Sequence, residues 1–276
     1  MIRKLTFVGL FFTKCVLIGV LIIKFFPNFG YSCSTFRIDH DNQFYFGRNY
    51  DWMVGDALLV VNKRGVKKTA YLRSYYEEAS PAVWTSKYGS VTFNQYGCGF
   101  PSGGINEAGL VVESMALPGT LYPATDSRPG VSSLQWKQYQ LDNHSSVDEV
   151  IASDSKIRIL RSNYSGIHFL VSDKSGKCAV IEFLEGKMVV YTGETMPVMA
   201  LTNSNYAESL GYWKKGAAPE FDKWKSFTRF IRAANMLREY GAEASGSPVD
   251  YSFNILSQVS HPVKTKWSIV LSLIHI

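Results

Sequence analysis

Short runs of alternating apolar and polar residues constrain the fold of this chain more than any other feature. The runs Ser34–Ile38 and Phe44–Asn49 are separated by turn-forming residues and predict a β-hairpin. Ala57–Asn62 and Val66–Leu72 flank a turn that ends in glycine and predict a second hairpin. Three later runs, separated by short glycine-containing turns, predict a β-meander: Ile167–Ser172, Cys178–Phe183 and Met188–Thr192. Strands therefore dominate the region from residue 33 to residue 270.

Helical periodicity interrupts these strands at two places. Ser132–Asn143 and Ser146–Ala152 predict a pair of helices, the second opened by a capping box between Ser146 and Glu149. Phe227–Tyr240 has its apolar residues on one face, with Ser226 as its expected N-cap. Strands with helices between them predict an α+β layered architecture. With 46% hydrophobic and 19% charged residues the composition excludes disorder, and residues 33–270 are expected to form a single domain.

The first 32 residues are typical of a signal peptide. A basic start precedes a patchy apolar stretch, and Gly30 and Ser32 place small side chains at positions −3 and −1 of a cut before Cys33. Cleavage there predicts a periplasmic or secreted protein without stable membrane association. An uncleaved anchor and a lipoprotein signal remain as alternatives, although Tyr31 is a poor residue to precede a lipid-modified cysteine.

Charge and cysteine spacing exclude several classes of function. The net charge is +6, but residues 1–32 contain four basic and no acidic residues, which leaves +2 for the rest and no basic stripe for nucleic acid. No pair of metal ligands has a recognised spacing, so neither a metal nor another cofactor is expected. Beyond the signal, three cysteines remain (Cys33, Cys98 and Cys178), so at least one is a free thiol or pairs between chains.

Cys33 combines two reactive groups if it becomes the N-terminus. It then carries a thiol and a free α-amine, whose ordinary pKa of about 7.7–8.0 suits a base near neutrality. If Asp39 pairs with Asn42 across the first turn, Cys33 lies opposite Arg48, whose guanidinium favours a thiolate. Asp51 is then close enough to orient the α-amine. The alternative is that Cys33 is a small apolar residue that opens a strand.

Five segments in this order resemble the choloylglycine hydrolase family of N-terminal-nucleophile amidases, which includes bile salt hydrolases and penicillin V acylases. The segments are Cys33–Arg37, Tyr45–Trp52, Gly103–Leu110, Leu201–Ser204 and Ser226–Arg232. The resemblance extends to a strand at Thr265–Ser268 and implies a four-layer αββα sandwich. It also implies hydrolysis of a linear, non-peptide C–N amide bond in a small-molecule substrate through a thioester.

Six catalytic residues are implied by this resemblance: Cys33, Arg48, Asp51, Asn106, Asn203 and Arg229. Cys33 is the expected nucleophile, with its own amine as base, and Arg48 and Asp51 tune and hold that pair. Asn106 through its backbone N–H and Asn203 through its side-chain amide are the expected oxyanion donors. Arg229 completes a charged network beneath the nucleophile.

Each of these roles has a plainer alternative. Asn106 and Asn203 are also typical turn and strand-end residues, and Arg229 is also compatible with a solvated surface arginine. For the whole chain, the alternative function is a lipid-anchored or catalytically silent binding protein with an acylated Cys33. The family splits between penicillin V, conjugated bile salts and N-acyl homoserine lactones as substrates, and its members are often homo-tetramers.

The last six residues, 271–276, have an unusual sequence. Leu-Ser-Leu-Ile-His-Ile matches the translation of a common sequencing-library adapter, so we expect these residues to be non-native and the native C-terminal strands to be missing.

Overall fold

Two antiparallel β-sheets carry the fold, and the computed structural model describes residues 32–72, 79–161, 166–216, 224–243 and 246–273. In chain order the strands are β1 (Ser34–His40), β2 (Gln43–Asp51), β3 (Leu58–Asn62), β4 (Lys67–Thr69), β5 (Val83–Thr85), β6 (Ser90–Asn94), β7 (Pro101–Asn106), β8 (Val111–Ala116), β9 (Gly130–Val131), β10 (Arg158–Ile159), β11 (Ile167–Ser172), β12 (Cys178–Leu184), β13 (Lys187–Thr192), β14 (Ala200–Leu201) and β15 (Thr265–Ser272). The helices are α1 (Ser133–Asn143), α2 (Val147–Ala152), α3 (Tyr206–Lys214), α4 (Ser226–Glu243) and α5 (Pro248–Gln258). The signal-peptide prediction for residues 1–32 falls almost entirely outside the described residues.

The smaller sheet has four strands in the order β14-β1-β2-β15. Its central hairpin is confirmed, but the predicted register is wrong, because Arg48 pairs with Thr35 rather than with Cys33. Asp41 and Asn42 form the two-residue turn, with φ values of +48° and +59° that suit a type I′ hairpin. The shift is two residues along β1, and side chains alternate with period two, so Arg48 still shares a face with Cys33.

The larger sheet has seven strands in the order β13-β12-β11-β8-β7-β6-β3. The meander formed by β11, β12 and β13 is confirmed. The predicted second hairpin is wrong, because β3 pairs with β6 and β4 pairs with β5. Ser86 explains the difference: its hydroxyl donates to Lys63 O across 2.8 Å and accepts from Val66 N–H across 3.0 Å. These bonds direct the chain away from a hairpin turn.

Helices cover the outer face of each sheet. A core that contains Val112, Phe169 and Ile181 lies between the larger sheet and α1 with α2, where Trp136 is fully buried. On the other side, α4 and α5 pack against the smaller sheet. Between the two sheets lies a second set of apolar side chains, which includes Phe46, Val111, Met115, Leu170 and Val180. The four layers are therefore helices, sheet, sheet and helices, as the resemblance implies.

Side-chain caps define the helix starts, with one exception. Ser132 and Ser146 accept the N–H groups of Gln135 and Glu149, as predicted. Glu149 differs from the predicted capping box, because its carboxylate accepts from Ser145 N–H across 2.6 Å. Ser226 is the first residue of α4 rather than the residue before it, and its hydroxyl accepts from a backbone N–H outside the helix.

At the C-terminal end, β15 continues through Ser272, and Leu273 N–H donates to Phe44 O across 3.0 Å. Residues 274–276 lie outside the described part of the chain. Within the described ranges, no helix is both long and apolar enough to cross a bilayer.

Candidate active site

Cys33 lies immediately before β1, with its side chain buried between the two sheets. Its Sγ lies 3.6 Å from the carbonyl oxygen of Asp51, to which it donates. Burial raises the pKa of the thiol, and the Arg48 and Arg229 guanidinium groups oppose this shift while the Asp51 carboxylate adds to it. Burial therefore disfavours the thiolate of Cys33 relative to a thiol in water.

Arg229 extends to Cys33 from the first turn of α4. Its Nη1 donates to the Cys33 carbonyl across 2.6 Å and to the Ser34 hydroxyl across 2.7 Å, and also contacts the Ser32 carbonyl. Its Nη2 donates to Asn203 Oδ1 across 3.0 Å. Burial lowers the pKa of Arg229 to about 10, so the group keeps its charge at neutral pH. The side chain is fully buried, and the alternative of a solvated surface arginine is therefore wrong.

Asn203 follows β14 and is fixed at three atoms. Its Oδ1 accepts from Arg229, its Nδ2 donates to Ala116 O across 2.9 Å, and its backbone N–H donates to the Ser226 hydroxyl across 2.8 Å. Because its oxygen faces a guanidinium, the orientation of the amide is set, with the nitrogen toward the end of β8.

A buried pair of side chains supports the loop that holds Asn203. His168 contacts the Thr202 carbonyl through Nε2 at 2.7 Å and Glu182 through Nδ1 at 2.9 Å. A carbonyl only accepts, so the proton on Nε2 is required by this contact. Glu182 also accepts from Tyr206 N–H and Asn205 Nδ2, which ties the loop to the start of α3.

Arg48 crosses from β2 to the larger sheet. Its Nη1 donates to Ser102 O across 2.8 Å and forms an ion pair with Glu113, and its Nη2 donates to Ser114 O across 3.3 Å. Burial lowers the pKa of Arg48, while the neighbouring Cys33 and Asp51 oppose that shift. Arg48 therefore links the two sheets and lies close enough to Cys33 to interact with its thiol.

Asp51 ends β2 directly opposite Thr265 of β15. Its carboxylate is buried, neither oxygen makes a well-formed hydrogen bond among the described residues, and the Thr265 side chain lies close enough to act on it as a weak donor. Burial raises the pKa of Asp51 to about 6, against the opposing effects of Thr265, Arg229 and Arg48. A buried carboxylate in this state is suited to receive a cation.

Asn106 lies on the other side of the larger sheet. Its Nδ2 donates to Leu141 O and His144 O at the end of α1, and its Oδ1 accepts from Ala108 N–H and Leu110 N–H. Its backbone N–H, the expected oxyanion donor, donates to Leu110 O across 3.0 Å. Asn106 therefore closes the β7–β8 turn, and the structure does not bring it to Cys33. The oxyanion role stays a prediction that this geometry does not favour.

Ala116 offers a backbone donor that sequence reasoning missed. Leu117 N–H donates to Gly166 O, and successive residues of a strand point to opposite edges, so the polar groups of Ala116 face away from β11. The Ala116 carbonyl accepts from Asn203 Nδ2 on that edge. The paired residues of β7 and β8 extend from Val111 to Glu113, and Ala116 lies three residues beyond them. A backbone donor leaves no side-chain signal in the sequence.

The family described as linear amide C–N hydrolases, choloylglycine hydrolase family, matches residues 33–218. The chain belongs to this family. The match begins at Cys33 and includes every expected site residue except Arg229.

Individual relatives agree with this assignment. A penicillin V acylase from Pectobacterium atrosepticum is 36% identical over 136 residues, a segment that covers 44% of this chain and 36% of that protein. The chain thus matches about a third of the length of that relative. The solved structure of penicillin V acylase from Agrobacterium tumefaciens has a TM-score of 0.69 at 27% identity and covers 87% of this chain and 79% of that one. Conjugated bile acid hydrolase from Clostridium perfringens shares the fold, with a TM-score of 0.67 at 19% identity over 82% of this chain and 79% of that chain.

Proposed function

We propose that this chain hydrolyses a linear C–N amide bond with Cys33 as an N-terminal nucleophile. The observation that carries the proposal is the convergence of Arg229 on both Cys33 and Asn203, which joins the nucleophile to an amide donor through one guanidinium. In this reaction the Cys33 sulfur attacks the amide carbon, and the thiol proton moves to the α-amine of the same residue. The C–N bond then breaks, and the amine leaves with a proton from the α-ammonium. Water, activated by the same α-amine, hydrolyses the thioester.

Asp51 supports the α-amine as the base. Its carboxylate is buried, makes no well-formed hydrogen bond in the described chain and interacts electrostatically with Cys33, so an α-ammonium at residue 33 would add a cation to those of Arg48 and Arg229. This requires removal of residues 1–32 and agrees with a proposed export to the periplasm or the cell exterior.

Asn203 and Ala116 are the proposed oxyanion donors. The Asn203 amide has a second N–H besides the one that donates to Ala116 O, and the Ala116 N–H faces the same edge of β8. Two donors fixed before the reaction stabilise the charge that develops on the carbonyl oxygen. This pair takes the place of the expected pair of Asn106 and Asn203.

Penicillin V is the first proposed substrate, because two similar proteins are penicillin V acylases. Conjugated bile salts and N-acyl homoserine lactones have the same chemistry, an amide beside a bulky or apolar acyl group. Fold alone does not decide among them.

A substrate panel tests the proposal. The chain that starts at Cys33 is incubated with penicillin V, a glycine-conjugated bile salt and an N-acyl homoserine lactone, and free amine is measured. We expect release from at least one substrate, none from Cys33→Ala, and an acid-quenched intermediate whose added acyl mass maps to Cys33. Activity retained in Cys33→Ala would overturn the mechanism, and a blocked amine at Cys33 would favour the binding-protein alternative.

A further inference from the structure

Glu113 is a fully buried carboxylate that has no role in the mechanism described above. It lies on β8, faces the smaller sheet, and forms its ion pair with Arg48 through Oε2. Its Oε1 has no hydrogen-bond partner in the described part of the chain. The charge on this side chain is therefore directed at Arg48.

The opposite strand makes room for this carboxylate. Gly103 of β7 pairs directly with Glu113, and a Cβ at position 103 would overlap the carboxylate. Only glycine leaves this space, so the backbone of β7 is fitted to the Glu113 side chain.

The other charges around Arg48 do not replace Glu113. Besides Glu113, the titratable groups that face Arg48 are Cys33, Tyr50, Asp51 and Lys137, and those that face the Cys33 thiol are Arg48, Asp51 and Arg229. Lys137 of α1 is fully buried and donates to the Ser114 hydroxyl across 2.8 Å. Burial and Arg48 lower the pKa of Lys137 well below its usual value. Glu113 forms the ion pair with the guanidinium, and the Cys33 side chain also lies within hydrogen-bond reach of it.

We propose that Glu113 is a positioning residue that holds Arg48 between the sheets and offsets its charge. Cys33 then remains a thiol and reacts only when the α-amine takes its proton. Without the carboxylate of Glu113, the positive charge of Arg48 beside the sulfur would favour the thiolate at all times. A thiol that needs its own amine is inactive before residue 33 becomes the N-terminus. This inference rests on the proposed function, but it concerns the sulfur and is measured there.

Alkylation of Cys33 tests the proposal in the full chain. The rate of reaction with iodoacetamide is measured against pH by the mass of the peptide that contains Cys33, and the exposed Cys98 serves as an internal standard. Glu113→Gln removes the charge and keeps the shape, and the two backbone carbonyls still hold Arg48. We expect the midpoint of the Cys33 profile to fall by roughly 1 pH unit while that of Cys98 stays unchanged.

Asp142→Asn is the matched control. Asp142 is also fully buried and paired, with Lys68 across 2.8 Å and Trp84 Nε1 across 2.6 Å, but has no contact with Arg48 among its described bonds. We expect its Cys33 midpoint to equal that of the wild type. An unchanged midpoint in a cooperatively folded Glu113→Gln protein would overturn the proposal, as would an equal shift in Asp142→Asn.

Glu113→Asp decides the question if Glu113→Gln fails to fold. The shorter side chain keeps the charge but moves it away from Arg48, so a smaller shift to lower pH is expected, and no shift would overturn the proposal. A shift in a protein that hydrolyses no amide would overturn the proposed function instead, and would leave the effect of Glu113 on the thiol established.

Discussion

Arg229 donates to the side-chain oxygen of Asn203 across 3.0 Å, and this bond sets the orientation of the amide, with its nitrogen toward Ala116 O. The same guanidinium binds the carbonyl of Cys33 across 2.6 Å. Cys33 and Asn203 are therefore bound to the same fully buried guanidinium at the start of α4.

Removal of the Asn203 amide is expected to affect the chemical step. In Asn203→Ala, kcat should fall by about 10²–10³ with little change in KM, since the donor acts mainly on the transition state. Asn143→Ala is the control, because the bond of this amide among the described residues stays within α1, to Tyr139 O. Steady-state kinetics of both variants check the prediction, and an equal loss of kcat in the two would contradict it.

Ser226 is expected to act on catalysis through Asn203. Ser226→Ala removes the acceptor of the Asn203 N–H, which leaves a buried donor unsatisfied, so kcat should fall by about tenfold. Ser257→Ala removes a hydroxyl whose bond in the described chain stays within its own helix turn, to Asn254 O, and should leave kcat unchanged. If the two variants retain the same kcat, Ser226 does not position Asn203.

Asp51 gives the stability of the full chain a defined pH dependence. Its pKa of about 6 in the folded protein exceeds the ordinary value of about 3.9, so the folded state binds the proton more tightly than the unfolded state. The free energy of unfolding should therefore fall by up to ~3 kcal/mol as the pH rises from about 4 to about 6, and this group should add little further change above pH 6. Urea unfolding of Asp51→Asn should lack this slope, whereas the exposed control Asp56→Asn should keep it. The same slope in Asp51→Asn would contradict the assignment.

The sequence predicted those parts of the fold that depend on neighbouring residues. The meander and both caps of the α1–α2 pair follow from local alternation and turn residues. The prediction of the second hairpin was wrong because β3 and β4 pair with distant strands. The hydrogen bonds of Ser86 that separate β3 from β4 join residues about twenty positions apart.

The candidate site was predictable only where a side chain carries the chemistry. Arg48 was expected beside Cys33 for a register that is wrong, and it remains there because a two-residue shift keeps the face. Asn106 was expected as a donor, but its turn uses both its side chain and its backbone N–H. Glu113 gave no signal, because a charged residue in an alternating strand does not reveal its partner on another sheet.

In the proposed mechanism the α-amine of Cys33 is the base. The most direct test compares two chains that differ by one residue, one beginning at Cys33 and one that retains Ser32, with the N-terminus of each verified by intact mass. We expect amide hydrolysis by the first chain and none above background by the second, although both fold with the same melting temperature. Equal turnover by the two chains would contradict it, because a peptide nitrogen at residue 33 cannot take up the thiol proton.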